Sequence, residues 1–168
     1  MKKIKVDVGF DKLKYIHHTS DIQIRNLKRH SEYREVFNKF YQEVEKYKEN
    51  SVVYIGGDIA HSKLDMSPEL IQMLSDLFVN LADICPTILI AGNHDCNLNN
   101  MNRLDVLTPL VDNINHPNLY YFMRSGIYQV ADVDFVVWDV WDKPKDYIKA
   151  EDVDGDKKVL LFHGTVDK

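Results

Sequence analysis

One hundred and sixty-eight residues make one domain of ordinary size, or a piece of a larger protein. The chain carries 21 Lys and Arg against 26 Asp and Glu, and a net charge of −5 argues against holding nucleic acid by bulk charge. Apolar residues are 45% and charged ones 28%, the balance of a folded protein, and no apolar run approaches the ~20 residues of a membrane span.

In chain order, Lys14–His18 reads as a strand that stops at Thr19-Ser20-Asp21. Ser31–Asn50 then places Val36, Phe37, Phe40, Tyr41, Val44 and Tyr47 at the spacing of an amphipathic helix, with Ser31 as its expected N-cap. Val52–Ile55 is a second strand, ended by Gly56-Gly57. Ser67-Pro68 announces the next helix: Ser caps it, and Pro takes the first position, where a missing N–H costs nothing. Its apolar stripe runs from Leu70 to Ile84, and Thr87–Ala91 follows as a strand ended by Gly92.

A shorter helix is expected near Arg103–Val111, interrupted or kinked by Pro109. Beyond it, Leu119–Met123, Gly126–Val130, Phe135–Trp141 and Val159–Phe162 read as strands, with a polar loop over Lys143–Lys158. Within the third of these, Trp138 and Trp141 should face opposite ways. Apolar strands between amphipathic helices imply a sheet covered on both faces. The expectation is a single domain over residues 1–168, a layered α/β sandwich with a mixed β-sheet flanked by helices.

Chemistry gathers where strands end. Asp21 and Gln23 follow the first strand, Gly57-Asp58 and His61 the second, Gly92-Asn93-His94-Asp95 the third, and His163-Gly164 the last. Ligands of open α/β sheets bind outside the carboxyl ends of strands, so these four groups point to one site. The residue types suit a pair of divalent ions about 3.5–4 Å apart, which needs a bridging anion and neutral donors around it. Asp58 is the expected bridge, Asp21 the terminal carboxylate on one ion, and Asn93 and His163 ligands of the other. His94 is the candidate general acid, with Asp95 holding its ring in the useful tautomer.

Those strings resemble the blocks of the calcineurin-like metallophosphoesterases: His18-Thr-Ser-Asp21-Ile-Gln23, Gly57-Asp58-Ile-Ala-His61, Gly92-Asn93-His94-Asp95 and His163-Gly164. The match spans residues 14–166 and is specific in combination. Arg103-Leu104-Asp105, soon after the third block, is most similar to the DNA-repair exonuclease branch, the SbcD-type nuclease subunits and their viral relatives. The stretch Arg25–His30 also resembles viral members. The resemblance implies hydrolysis of DNA phosphodiesters with two divalent ions, Mn²⁺ first and Mg²⁺, Fe²⁺ or Zn²⁺ as substitutes, beside a coiled-coil ATPase partner. His61, Arg25 and Arg103 are the candidate substrate contacts.

Two departures stand out. Gln23, expected with Asp21 and Asp58 among the ligands of one ion, occupies the place of a histidine in the first block, and a neutral carboxamide binds first-row metals more weakly than imidazole. The family's closing Gly-His-x-His block has no counterpart before Lys168, and the expectation is a shortened chain rather than a degenerate relative. A small-molecule phosphatase, a cyclic-nucleotide phosphodiesterase and a non-catalytic binding module are the rival functions. The start, MKKIKVDVGF, lacks the apolar stretch of a secretory signal, and Cys85 and Cys96 have no metal-type spacing. Both point to a reducing, cytoplasmic setting and no membrane partner. Oligomeric state is not readable.

Overall fold

The computed structural model describes residues 2–164. Four parallel strands, β2 (Tyr15–Thr19), β3 (Ser51–Ile55), β4 (Thr87–Leu89) and β5 (Leu119–Tyr121), form one sheet in that order, after an edge strand β1 (Lys3–Val6) of the second sheet. Each step between the parallel strands passes through a helix: α1 (His30–Lys46), α2 (Pro68–Ile84) and α3 (Leu107–Ile114). Right-handed crossovers that always advance in one direction leave all three helices on the same face. There Val53, Ile55 and Leu89 meet Leu70, Leu74, Leu77, Phe78 and Leu81 in a dry core.

The opposite face of this sheet, Val52, Tyr54, Ile88 and Ile90, packs on a second sheet through Val130, Phe135, Val137 and Leu161. That sheet is mixed: β1 runs parallel to β6 (Gly126–Val130), β6 antiparallel to β7 (Val133–Trp138), and β7 parallel to β8 (Lys158–Phe162). Its outer face, Ile127 and Val136, is covered by Ile148 and Val153. The expected layered α/β sandwich is therefore present, its strands divided between two stacked sheets. All five residues of β3 are buried, as a strand sandwiched between a helix layer and another sheet must be.

Several local expectations shift for identifiable reasons. Ser67 caps α2 as anticipated, accepting the Leu70 N–H, but α1 begins at His30, after a left-handed Arg29, so Ser31 lies inside it. Helix α3 starts at Leu107 because the Asp105 carboxylate takes the N–H groups of Leu107 and Thr108. Pro109 falls in its first turn, where no intrahelical N–H is missed and no kink results. Strand β7 ends at Trp138; Trp141 lies beyond it, its indole N–H donating to Asn97 O and its ring under Arg124. The loop before β8 contains a short 3₁₀ turn, Ala150–Asp152. Among the described residues no helix is long and apolar enough to cross a membrane.

Candidate metal centre

Strands β2, β3 and β4 of the first sheet and β8 of the second end at one rim, and a cleft of about 440 Å³ opens there. Asp21, Asp58, Asn93, His94 and His163 all line it. Ligand-capable atoms of Asp21, Asp58 and His163 lie within 4.8 Å of one another.

The backbone that delivers these groups is unusual. Asp21, Gln23 and Asp58 sit in the left-handed region, at φ of 52°, 47° and 51°. Such conformations cost about 1–3 kcal/mol each for non-glycine residues and persist where the surroundings enforce them. Here the loops after β2 and β3 enforce them mutually: Asp21 N donates to Gly57 O, Gln23 N to Asp58 O and Ile24 N to Ile59 O. The third loop closes tightly on the second. A Cβ on Gly57 would meet Gly92 N at 2.6 Å, and a Cβ on Gly92 would lie 2.1 Å from Asp58 Oδ1. Glycine at both positions is a condition of the site's existence.

Asp58 is the hub. It is 3% exposed, accepts the His94 backbone N–H on Oδ1 at 2.9 Å, and has His163 Nε2 at 3.3 Å from that same oxygen. Nδ1 of His163 is 2.7 Å from Gly56 O, so its proton is spent on that carbonyl and the Nε2 lone pair is left for a cation. Two carboxylates and a so-oriented imidazole, with Asn93 on the same cleft wall, are a donor set that fits a divalent ion. Ser20, which donates to Asp21 Oδ2 at 2.8 Å, fixes the outer carboxylate.

His94 Nδ1 is 2.9 Å from His61 O, and its Nε2 is 3.9 Å from Asp58 Oδ2. The expected partner, Asp95, is elsewhere. Its fully buried carboxylate accepts backbone N–H groups of Ile59, Ala60 and Gly92, because the turn after β4 points it into the protein. Asp95 therefore clamps the second loop to the third, and the His61 carbonyl orients His94. Burial pushes the Asp95 carboxyl up to about 6, against the pull of those N–H donors. Burial likewise pushes the neighbouring Cys96 thiol up to about 12.

Of the remaining expected residues, His61 does not line the cleft but stacks on His94 at 5.7 Å between ring centroids. Gln23 is likewise outside it, its carboxamide set between Asp58 and His61. Arg25 and Arg103 are exposed and not part of the cleft wall. His18 stacks on Tyr54 and forms part of that wall. Lys63 gave no signal in the sequence, yet its ammonium binds the carbonyls of Asn93 and Cys96 and holds the third loop.

Comparison with known proteins agrees with this geometry. The family model for calcineurin-like phosphoesterases matches residues 14–167. The chain belongs to the calcineurin-like phosphoesterase family. An uncharacterised protein of Acanthamoeba polyphaga mimivirus is 42% identical to this phosphoesterase chain over 167 residues. The alignment covers 92% of the chain and 12% of that relative, so the phosphoesterase region spans a small part of a much longer protein there.

Proposed function

We propose that this chain is a metal-dependent phosphodiesterase acting on nucleic acid, DNA foremost, as a nuclease of the recombination and repair type. The observation that carries the reading is the meeting of Asp21, Asp58 and His163 within 4.8 Å at the ends of three separate strands. In this reading Asp58, Asp21, His163 and Asn93 would hold the divalent ions, with Mn²⁺ as the proposed native ion. Divalent ions held there supply Lewis acidity toward a phosphoryl oxygen and toward a water nucleophile.

The chain's own residues do the rest. The His61 carbonyl anchors Nδ1–H of His94 and leaves Nε2 as the working nitrogen, facing the cleft beside Asp58. Protonated, that nitrogen donates to the departing oxygen. Support for a nucleotide substrate comes from a second groove of about 480 Å³, which meets the cleft at His18 and Ser20 and is lined by Tyr33, Phe37 and Phe40. A base stacked on such rings places its phosphate at the metal end. Arg25 and Lys28, exposed in the loop between the first block and α1, supply positive charge for the backbone. A coiled-coil ATPase partner and an intracellular location complete the proposal; two buried free thiols, Cys85 and Cys96, fit a reducing compartment.

The test is a Mn²⁺ titration by calorimetry, followed by hydrolysis of an oligonucleotide and of p-nitrophenyl phosphate. Ion binding and oligonucleotide cleavage, both lost in Asp58→Asn, are expected. Cleavage of the monoester alone would reassign the substrate, and a folded chain that binds no ion would end the hydrolase reading.

A further inference from the structure

Gln23 stands where the resemblance places an imidazole ligand, and its carboxamide is engaged at both ends. Nε2 donates to Asp58 Oδ2 at 3.3 Å, and Oε1 faces His61 Nδ1 at 3.4 Å. The backbone beneath it is also fixed. Gln23 N donates to Asp58 O at 2.9 Å, and the Tyr33 hydroxyl donates to Gln23 O at 3.2 Å.

The chemistry of the two neighbours sets the direction of the amide. An ionised carboxylate only accepts, so the end facing Asp58 is the NH₂, and the carbonyl end accepts from the imidazole N–H of His61. Turning the amide to offer its oxygen to a cation would break both bonds. His61 Nδ1 would be left without its acceptor, while Asp58 Oδ2 would exchange its N–H donor for the cation. The cation would gain only a neutral oxygen in exchange.

We infer that Gln23 is a positioning residue and not a metal ligand: its carboxamide ties Asp58 to His61 and, through His61, to His94. One end fixes the rotation of the carboxylate, so that Oδ1 is presented to His163. The other end fixes the His61 ring, which stacks on His94 at an interplanar angle of 22° while the His61 carbonyl holds His94 Nδ1. The inference rests on the phosphoesterase reading of the cleft and assigns within it a residue that works through hydrogen bonds alone.

The experiment compares the chain with Gln23→Met, which keeps the length but neither polar end, and with Gln23→His. Three readouts are taken: Mn²⁺ affinity by calorimetry, the His61 tautomer by ¹⁵N NMR of the metal-free protein, and steady-state hydrolysis. Gln23→Met is expected to move the His61 proton from Nδ1 toward Nε2, to lower kcat, and to weaken Mn²⁺ binding by about tenfold through the freed Asp58 carboxylate. Gln23→His is expected to bind Mn²⁺ about tenfold or more tightly than the natural chain, because it restores an imidazole donor. A loss of Mn²⁺ affinity well beyond about 100-fold in Gln23→Met, or an unmoved His61 tautomer, overturns the inference. If the natural chain binds no Mn²⁺, the cleft reading fails separately, and the tautomer measurement still decides whether the Asp58–Gln23–His61 tie exists.

Discussion

The imidazole of His163 and the carbonyl of Gly56 are 2.7 Å apart, a contact between the last strand end of one sheet and the first glycine after the central strand of the other. It is what turns His163 Nε2 toward Asp58. His163→Ala should therefore lower Mn²⁺ affinity by at least about tenfold, measured by calorimetry, since even residues behind a ligand are worth that much. His163→Gln should recover little of it, because a neutral carboxamide oxygen is a weaker donor than imidazole toward first-row metals. Equal affinity in the alanine variant would remove His163 from the centre.

His94 and Asp95 are neighbours in sequence with opposite fates, and they separate cleanly in experiment. His94→Ala is expected to retain ion binding and thermal stability but to lose roughly 10²–10⁴-fold in kcat, the range typical of a lost proton donor. Loss of ion occupancy instead would contradict the proton-donor role.

Asp95→Ala should fail differently. It leaves the buried N–H groups of Ile59, Ala60 and Gly92 without their acceptor. A single unsatisfied buried donor costs about 1–3 kcal/mol, so urea unfolding should show a loss on the order of 3 kcal/mol or more. Ion binding should fall with the fold. A stable Asp95→Ala protein with selectively reduced kcat would restore Asp95 to a direct catalytic part.

That pair shows what the sequence could and could not say. Strand ends could be read because a buried strand such as Val52–Ile55 is an apolar run with a glycine stop, and such ends are where ligand groups gather. Asp21, Asp58, Asn93 and His163 were legible for that reason, and the cleft brings all four together. The direction of each side chain within a turn follows no period, so nothing told Asp95, pointing inward, from His94, pointing to the cleft. Arg25 and Arg103 were similarly ambiguous, being cations in turns whose course only tertiary contacts fix. Strand β1 went unseen because Lys-Ile-Lys-Val is short, half charged and half exposed. The division into two sheets was hidden because β3, covered by helices on one face and strands on the other, reads the same whichever element does the covering.

The close approach of the second and third loops gives a stability test with an internal control. Gly92→Ala would drive its methyl into Asp58 Oδ1, and overpacking of this kind costs about 1–3 kcal/mol. Because the displaced atom belongs to Asp58, Mn²⁺ affinity should fall together with the urea midpoint. Gly9 is the comparison: it has nothing within 4 Å of a Cβ position, though its φ of +78° disfavours alanine. Gly9→Ala should cost about 1 kcal/mol through backbone strain alone and leave ion binding untouched.

The aromatic groove beside the metal centre makes the substrate proposal testable apart from the chemistry. Val36 lies on its wall, 59% exposed, on the face of α1 that also presents Tyr33 and Phe40. Val36→Glu introduces a negative charge where a base and its phosphate would approach, without disturbing a core contact. The variant is expected to bind Mn²⁺ normally and to bind a short single-stranded oligonucleotide at least about fivefold more weakly by fluorescence anisotropy, the lower end of what one lost base stack is worth. An oligonucleotide with abasic sites should bind the natural chain about as weakly as the variant binds the intact strand. If abasic and intact strands bind alike, the groove takes no base, and the case for a nucleic-acid substrate returns to the loop cations alone.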